Sequence, residues 1–161
     1  KNHSLILDIW DDLACEMPVS ECPELHIVGQ RGWADPALLR RLDRHPLRDH
    51  VVFEHGPLSD DALWDMMRVC DVLLFPSFVE GFGYPPLEAL QAGMTCLVSD
   101  IAVHREILKT SAIFLSPLDP TPWKTQIKEI VLNGSVGLAS PMEDLPNWKD
   151  HFRALTAVIS D

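Results

Sequence analysis

The feature that most constrains this fold is a regular alternation of short apolar runs with longer segments of helical periodicity. Leu25–Val28, Val51–Glu54, Val72–Phe75, Thr95–Val98 and Ala112–Leu115 are four-residue runs of the kind that make buried strands. Between them lie helix patterns. Leu5, Ile6, Ile9, Trp10 and Leu13 mark an amphipathic helix over residues 3–16. Asp35-Pro36 caps and starts a second through Leu42, and Ser59-Asp60-Asp61 caps a third with apolar positions Leu63, Met66, Met67 and Val69. A fourth opens with Pro85 or Pro86 at its first position, carries Leu87, Leu90 and Ala92, and is stopped by Gly93. Val103–Leu108, Thr121–Leu132 and Trp148–Ile159 complete the set, with Asn133–Asn147 as the best candidate for a mobile connection. Short buried strands joined by helices predict an α/β fold, a Rossmann-like parallel sheet with helices on both faces. Such sheets bind ligands at the carboxyl ends of their strands.

Length and charge narrow the functional classes. A chain of 161 residues suits a single domain with a sizeable core. A net charge of −11 argues against a nucleic-acid partner, which needs a basic face, but leaves room for a small phosphorylated ligand held by one or two cations and backbone N–H groups. The apolar runs are too short to span a bilayer. Cys15, Cys22, Cys70 and Cys96 form no CxxC pair, and their mostly apolar surroundings predict reduced, buried thiols in a reducing compartment, most simply the cytoplasm. The seven histidines lack the spacing of a zinc site. The chain opens on Lys1 and runs straight into a helix pattern, so a fragment or excised domain is expected.

Chemistry concentrates between Phe75 and Glu88, F-P-S-F-V-E-G-F-G-Y-P-P-L-E. A strand ends in Pro76-Ser77, an acid precedes Gly81-Phe82-Gly83, two prolines open a helix, and Glu88 follows Glu80 by eight positions. Gly81 and Gly83 let the backbone approach a ligand and take positive φ. The helix then aims free N–H groups at the loop, where its dipole favours an anion by roughly 0.3–1 kcal/mol. Pro85 and Pro86 have no N–H, so Gly83, Tyr84 and Leu87 are the expected donors. Glu88, placed in the first helical turn, can accept from a diol such as a ribose, and Glu80 from a sugar on the far side of the phosphates. Arg31, between Gly29 and Gly32, either reaches a phosphate or base or is a solvated loop residue. His104-Arg105-Glu106 reads as a helix surface that steadies the loop. Trp64, Met66 and Met67 read as helix core.

Glu80-Gly81-Phe82-Gly83 with Glu88 resembles the Glu-x7-Glu signature of the retaining GT-B glycosyltransferases, in the family 4 group. Leu25–Gly29 with Gly32-Trp33, Val52–Gly56 with Leu58-Ser59-Asp60, Asp71–Ser77, Ala92-Gly93, Val98-Ser99, His104–Glu106 and Asn147-Trp148 follow the family's order. The resemblance implies the C-terminal, nucleotide-sugar-binding domain of a two-domain enzyme, here residues 1–161. A hexose would pass with retention from a GDP- or UDP-linked donor to a glycan or lipid-linked acceptor held by an N-terminal half, without a cofactor or metal. It makes Glu80 the catalytic position, contacting donor-sugar hydroxyls, and assigns Glu88 to the ribose. The backbone of Phe82, Gly83 and Tyr84 would meet the phosphates. Lys1-Asn2 is similar to the end of an R-K-N stretch that holds the diphosphate, making Lys1 a ligand. Polysaccharide synthesis, mannose as the sugar, and peripheral attachment of a longer enzyme at the inner membrane face are further implications.

Three departures stand out. The family's strand before R-K-N and its Arg are not in this chain, so the edges at Leu25–Val28 and Val72–Phe75 should lack their shared neighbour. His55 occupies a position where neutral residues are common, and Tyr84-Pro85-Pro86 is a variant of the loop. The 161 residues alone are expected to turn over no substrate. Two other classes remain open from the residues: a nucleotide- or sugar-binding module without catalysis, and a nucleotide-sugar epimerase of the same architecture.

Overall fold

A computed structural model describes residues 1–32 and 35–134. The elements run α1 (His3–Glu16), β1 (Leu25–Val28), α2 (Pro36–Asp43), β2 (Val52–His55), α3 (Asp60–Val69), β3 (Val72–Phe75), α4 (Tyr84–Gln91), β4 (Thr95–Ser99), α5 (Ala102–Leu108), β5 (Ile113–Leu115) and α6 (Pro120–Asn133). A single 3-10 turn at Val19–Glu21, not anticipated by the sequence pattern, lies between α1 and β1. The expected helix Trp148–Ile159, Trp33, and the connection beyond residue 134 lie outside the described residues.

All strand pairs are parallel. β1 pairs with β2 in register Leu25 to Val52, β3 with β4 from Val72 to Thr95, and β4 with β5 from Leu97 to Ile113. The strands form two sheets, β1-β2 and β3-β4-β5. Among the described residues neither β1 nor β3 has a strand along its second side, as the sequence led us to expect.

Alternation along the strands sorts side chains into two cores. Leu25, Ile27, Val52, Val72, Leu74, Leu97, Ile113 and Leu115 face α1, α2 and α6, whose Leu7, Ile9, Leu13, Leu42, Trp123 and Ile127 close that side. Leu73, Phe75, Cys96, Val98 and Phe114 face the opposite way, onto Met67 of α3, Leu87, Ala89 and Leu90 of α4, and Ile107 and Leu108 of α5. Every residue of β4 is buried. It contributes to both cores, as a central parallel strand must.

The helix starts follow their capping chemistry. Asp35, Ser59 and Asp119 each accept a hydrogen bond from a backbone N–H of the first turn, at Ala37, Ala62 and Thr121. α4 departs from this pattern. It begins at Tyr84, one residue before the prolines, behind a left-handed Gly83 (φ 91°) that offers no side-chain cap. Two expectations are corrected by solvent exposure. Val69, given to the α3 core, is 81% exposed because it closes the helix on the outer side. Cys15 is exposed on α1, whereas Cys22 and Cys96 are buried and Cys70 half-buried, all as free thiols. Burial pushes the Cys96 thiol up to about 12, which makes it inert.

Candidate functional site

β3 ends at Phe75, and the chain then turns through Pro76-Ser77 into the loop that feeds α4. The N-terminus is pinned beside this turn. The Asn2 backbone N–H donates to the Pro76 carbonyl at 3.2 Å, and its side-chain amide donates to the Pro117 carbonyl at 2.8 Å. This anchorage places the Lys1 ammonium against the Glu80 carboxylate, and 3.6 Å above the centre of the Phe75 ring. Burial pushes the Glu80 carboxyl up, but donation from Lys1 and the nearness of Ser77 outweigh it and hold the group below its ordinary range. Lys1 and Glu80, 79 positions apart, thus form one charged pair at the head of the glycine loop.

Only one of the two glycines uses its conformational freedom. Gly83 sits at φ +91°, a conformation L side chains avoid, whereas Gly81 is not in the positive-φ region and a Cβ there would meet nothing within 4 Å. The early start of α4 also revises the donors. Tyr84 is the first helical residue, so the Leu87 N–H reaches back to the Gly83 carbonyl in the regular ladder. With prolines next, Gly83 and Tyr84 are left as the N–H donors at the helix mouth. Leu87 itself is a core side chain, 7% exposed. Glu88 falls one position beyond the first turn, which contains no acid, and is half-buried.

Around the loop lies an apolar rim. Phe78, Val79, Phe82 and Tyr84 are exposed, and the Phe82 and Tyr84 rings stack obliquely with centres 4.7 Å apart. Beneath the loop lies His104, which the sequence reading placed on a helix surface. The structure buries it to 1% exposure, with Nδ1 2.8 Å from the Ser99 carbonyl and its ring against Phe75. Residue spacing gave no sign of this, because α5 has only seven residues and a single histidine sets no period. Arg105, by contrast, is on the surface, paired with Asp100 and over the Phe114 ring.

Arg31 is engaged elsewhere. Its guanidinium donates to Glu54 at 2.6 and 2.5 Å and to Asp43 at 3.2 and 2.5 Å. Hydrogen bonds from Arg31 hold both carboxyls below their ordinary range and raise its own pKa. It lines a cavity of about 520 Å³ with Gly29, Gln30, Glu54, His55, Gly56 and Pro57, at the carboxyl ends of β1 and β2. Satisfied by two carboxylates, it has little left to offer a phosphate.

Among the described residues no helix is long and apolar enough to cross a membrane. Comparison with known proteins agrees with the geometry. The chain is 33% identical over 116 residues to the serotype-specific mannosyltransferase WbdA of Escherichia coli, covering 72% of this chain and 14% of that protein. It is 38% identical over 84 residues to the O-antigen chain mannosyltransferase RfbU of Salmonella typhimurium, covering 52% and 24% respectively. It therefore spans less than a quarter of the length of either relative. The structure superposes on sucrose-phosphate synthase from Thermosynechococcus elongatus with a TM-score of 0.70 at 20% identity, over 96% of this chain and 42% of that one. The fold is thereby that of part of a GT-B glycosyltransferase. The profile of the family described as glycosyl transferases group 1 matches residues 1–143, and the chain belongs to that family.

Proposed function

We propose that this chain is the donor-binding domain of a retaining hexosyltransferase, taking its sugar from a GDP- or UDP-linked donor. The observation that carries the reading is the Lys1–Glu80 pair set at the mouth of α4, beside a glycine that must be left-handed. Each part has a task. Gly83 and Tyr84 N–H groups, the positive end of α4 and the Lys1 ammonium receive the diphosphate. These charges count most as the diphosphate leaves and its negative charge grows. Glu80, freed from Lys1 when the phosphates draw that ammonium away, accepts hydroxyls of the sugar. Glu88 takes the ribose, Phe82 lends backbone to the phosphates, and Arg31 borders the nucleoside.

Mannose is the favoured sugar because the relatives above are mannosyltransferases. A glycan or lipid-linked acceptor would be bound by a second domain, and the work would take place in the cytoplasm, at the membrane face. No metal is required, since Lys1 and the helix end supply the positive charge.

Calorimetric titration of the chain with UDP, GDP and ADP tests the reading. One base should bind preferentially, and Glu88→Ala should weaken it by about 1–3 kcal/mol, the loss of a charged hydrogen-bond partner. Heat from none of the three, or an unchanged constant for Glu88→Ala, would remove the support for a nucleotide site here.

A further inference from the structure

Four side-chain atoms among the described residues are buried without a well-formed hydrogen bond: His45 Nε2, Ser77 Oγ, Ser99 Oγ and His104 Nε2. Three of the four gather where the carboxyl ends of β3 and β4 meet the glycine loop. Ser77 lies against the Glu80 carboxylate; leaving a buried group such as His104 Nε2 unpaired is costly, so it points to a polar partner.

His104 is the most defined. Its Nδ1 faces the Ser99 carbonyl at 2.8 Å. A carbonyl only accepts, so Nδ1 carries a proton, and in the neutral tautomer this fixes, Nε2 is the nitrogen with the bare lone pair. That nitrogen points toward Gly83. A Cβ built on Gly83 would stand 3.5 Å from both Nε2 and Cδ2, and about as near to the Phe75 ring, at 4.0 Å. Gly83, one of the loop residues expected to meet the donor, is thus the backbone that packs over Nε2.

We propose that His104 Nε2 accepts a hydrogen bond from a hydroxyl of the donor sugar, so that His104 and Glu80 together read the sugar. The inference rests on the reading of the loop as a nucleotide-sugar site. A bare lone pair selects a hydroxyl over a phosphate, because a phosphate oxygen at neutral pH brings no proton to give.

The test compares GDP with GDP-mannose, and UDP with UDP-glucose, by calorimetry on the full chain. His104→Asn keeps an amide donor for the Ser99 carbonyl but withdraws the group at Nε2, whereas His104→Gln returns a polar atom there. His104→Asn should bind the sugar nucleotide about three- to ten-fold more weakly, the worth of one hydrogen bond, with the bare diphosphate nearly unchanged and His104→Gln recovering most of the loss. On the unmutated chain, the ¹⁵N resonance of Nε2 should move on adding sugar nucleotide and stay in place with bare diphosphate. Equal weakening of both ligands in His104→Asn, or an Nε2 resonance indifferent to a bound sugar nucleotide, would reduce His104 to a packing residue while leaving the nucleotide site standing. Failure of the unmutated chain to bind any of the four compounds would overturn both readings together.

Discussion

At the scale of single residues, charge decides more than propensity. Arg31 is the clearest case. It sits in a strand-end loop where α/β proteins bind anions, yet two carboxylates already hold its fork. Arg48 adds to the cluster, 3.2 Å from Glu54 and 3.3 Å from Asp43. Glu54, with 14% of its side chain exposed, is the better shielded carboxylate. Both acids have lowered pKa values in the fold, so the stability they contribute is fully present above their ordinary values of 4.5 and 3.8. It drains away as the pH falls through the lower folded values. Glu54→Gln should therefore lower the melting temperature at neutral pH. The gap from the parent chain should close as the pH is taken below 4.5. A thermal scan across that range checks the sign, and a gap that widened in acid would contradict the ion-pair account.

At the scale of elements, β4 governs the structure. Cys96 and Val98 serve one core, Leu97 the other, and all five of its residues are buried. Leu97, at 0% exposure, is packed against the α1 and α6 side. Leu97→Ala should cost about 2–5 kcal/mol in urea unfolding, through lost transfer energy and the cavity left behind. Val69→Ala makes the control. With the valine 81% exposed at the end of α3, its effect should stay within about 0.5 kcal/mol, although both positions look equally apolar in sequence. The same denaturation series measures both. α4 shows how an element is shaped by its neighbours: the left-handed Gly83 starts the helix a residue earlier than its prolines suggest, removing Leu87 from the set of free donors and Glu88 from the first turn.

At the scale of the whole molecule, the net charge of −11 sets the partners. A small diphosphate can be met locally by Lys1 and the end of α4, but a polyanion would face repulsion along the rest of the surface. The chain should leave duplex DNA unretarded in a gel at low salt, where non-specific binding is strongest. A shifted band would show a basic face that the charge balance gives no reason to expect. The split between the β1-β2 and β3-β4-β5 sheets is also a property of the whole. Each sheet is held to the other through helices, since Leu25 and Val52 share one core with Leu97 and Trp123.

What the sequence determined alone was the order and kind of the elements, because short β-rich apolar runs, capping residues and glycine stops are local signals. It also set Glu80, Gly83 and Glu88 on one loop and the helix that follows, because their spacing is local. Contacts across the chain were decided only by the folded structure. The pairing of Lys1 with Glu80 joins the chain's first residue to the end of β3. The capture of Arg31 needs α2 and β2 brought together. The burial of His104 beneath Gly83 depends on β4 delivering α5 under the loop. Sequence patterns carry the period of an element, but a charge or an imidazole takes its role from whatever group packing sets beside it, and that neighbour can be any number of residues away.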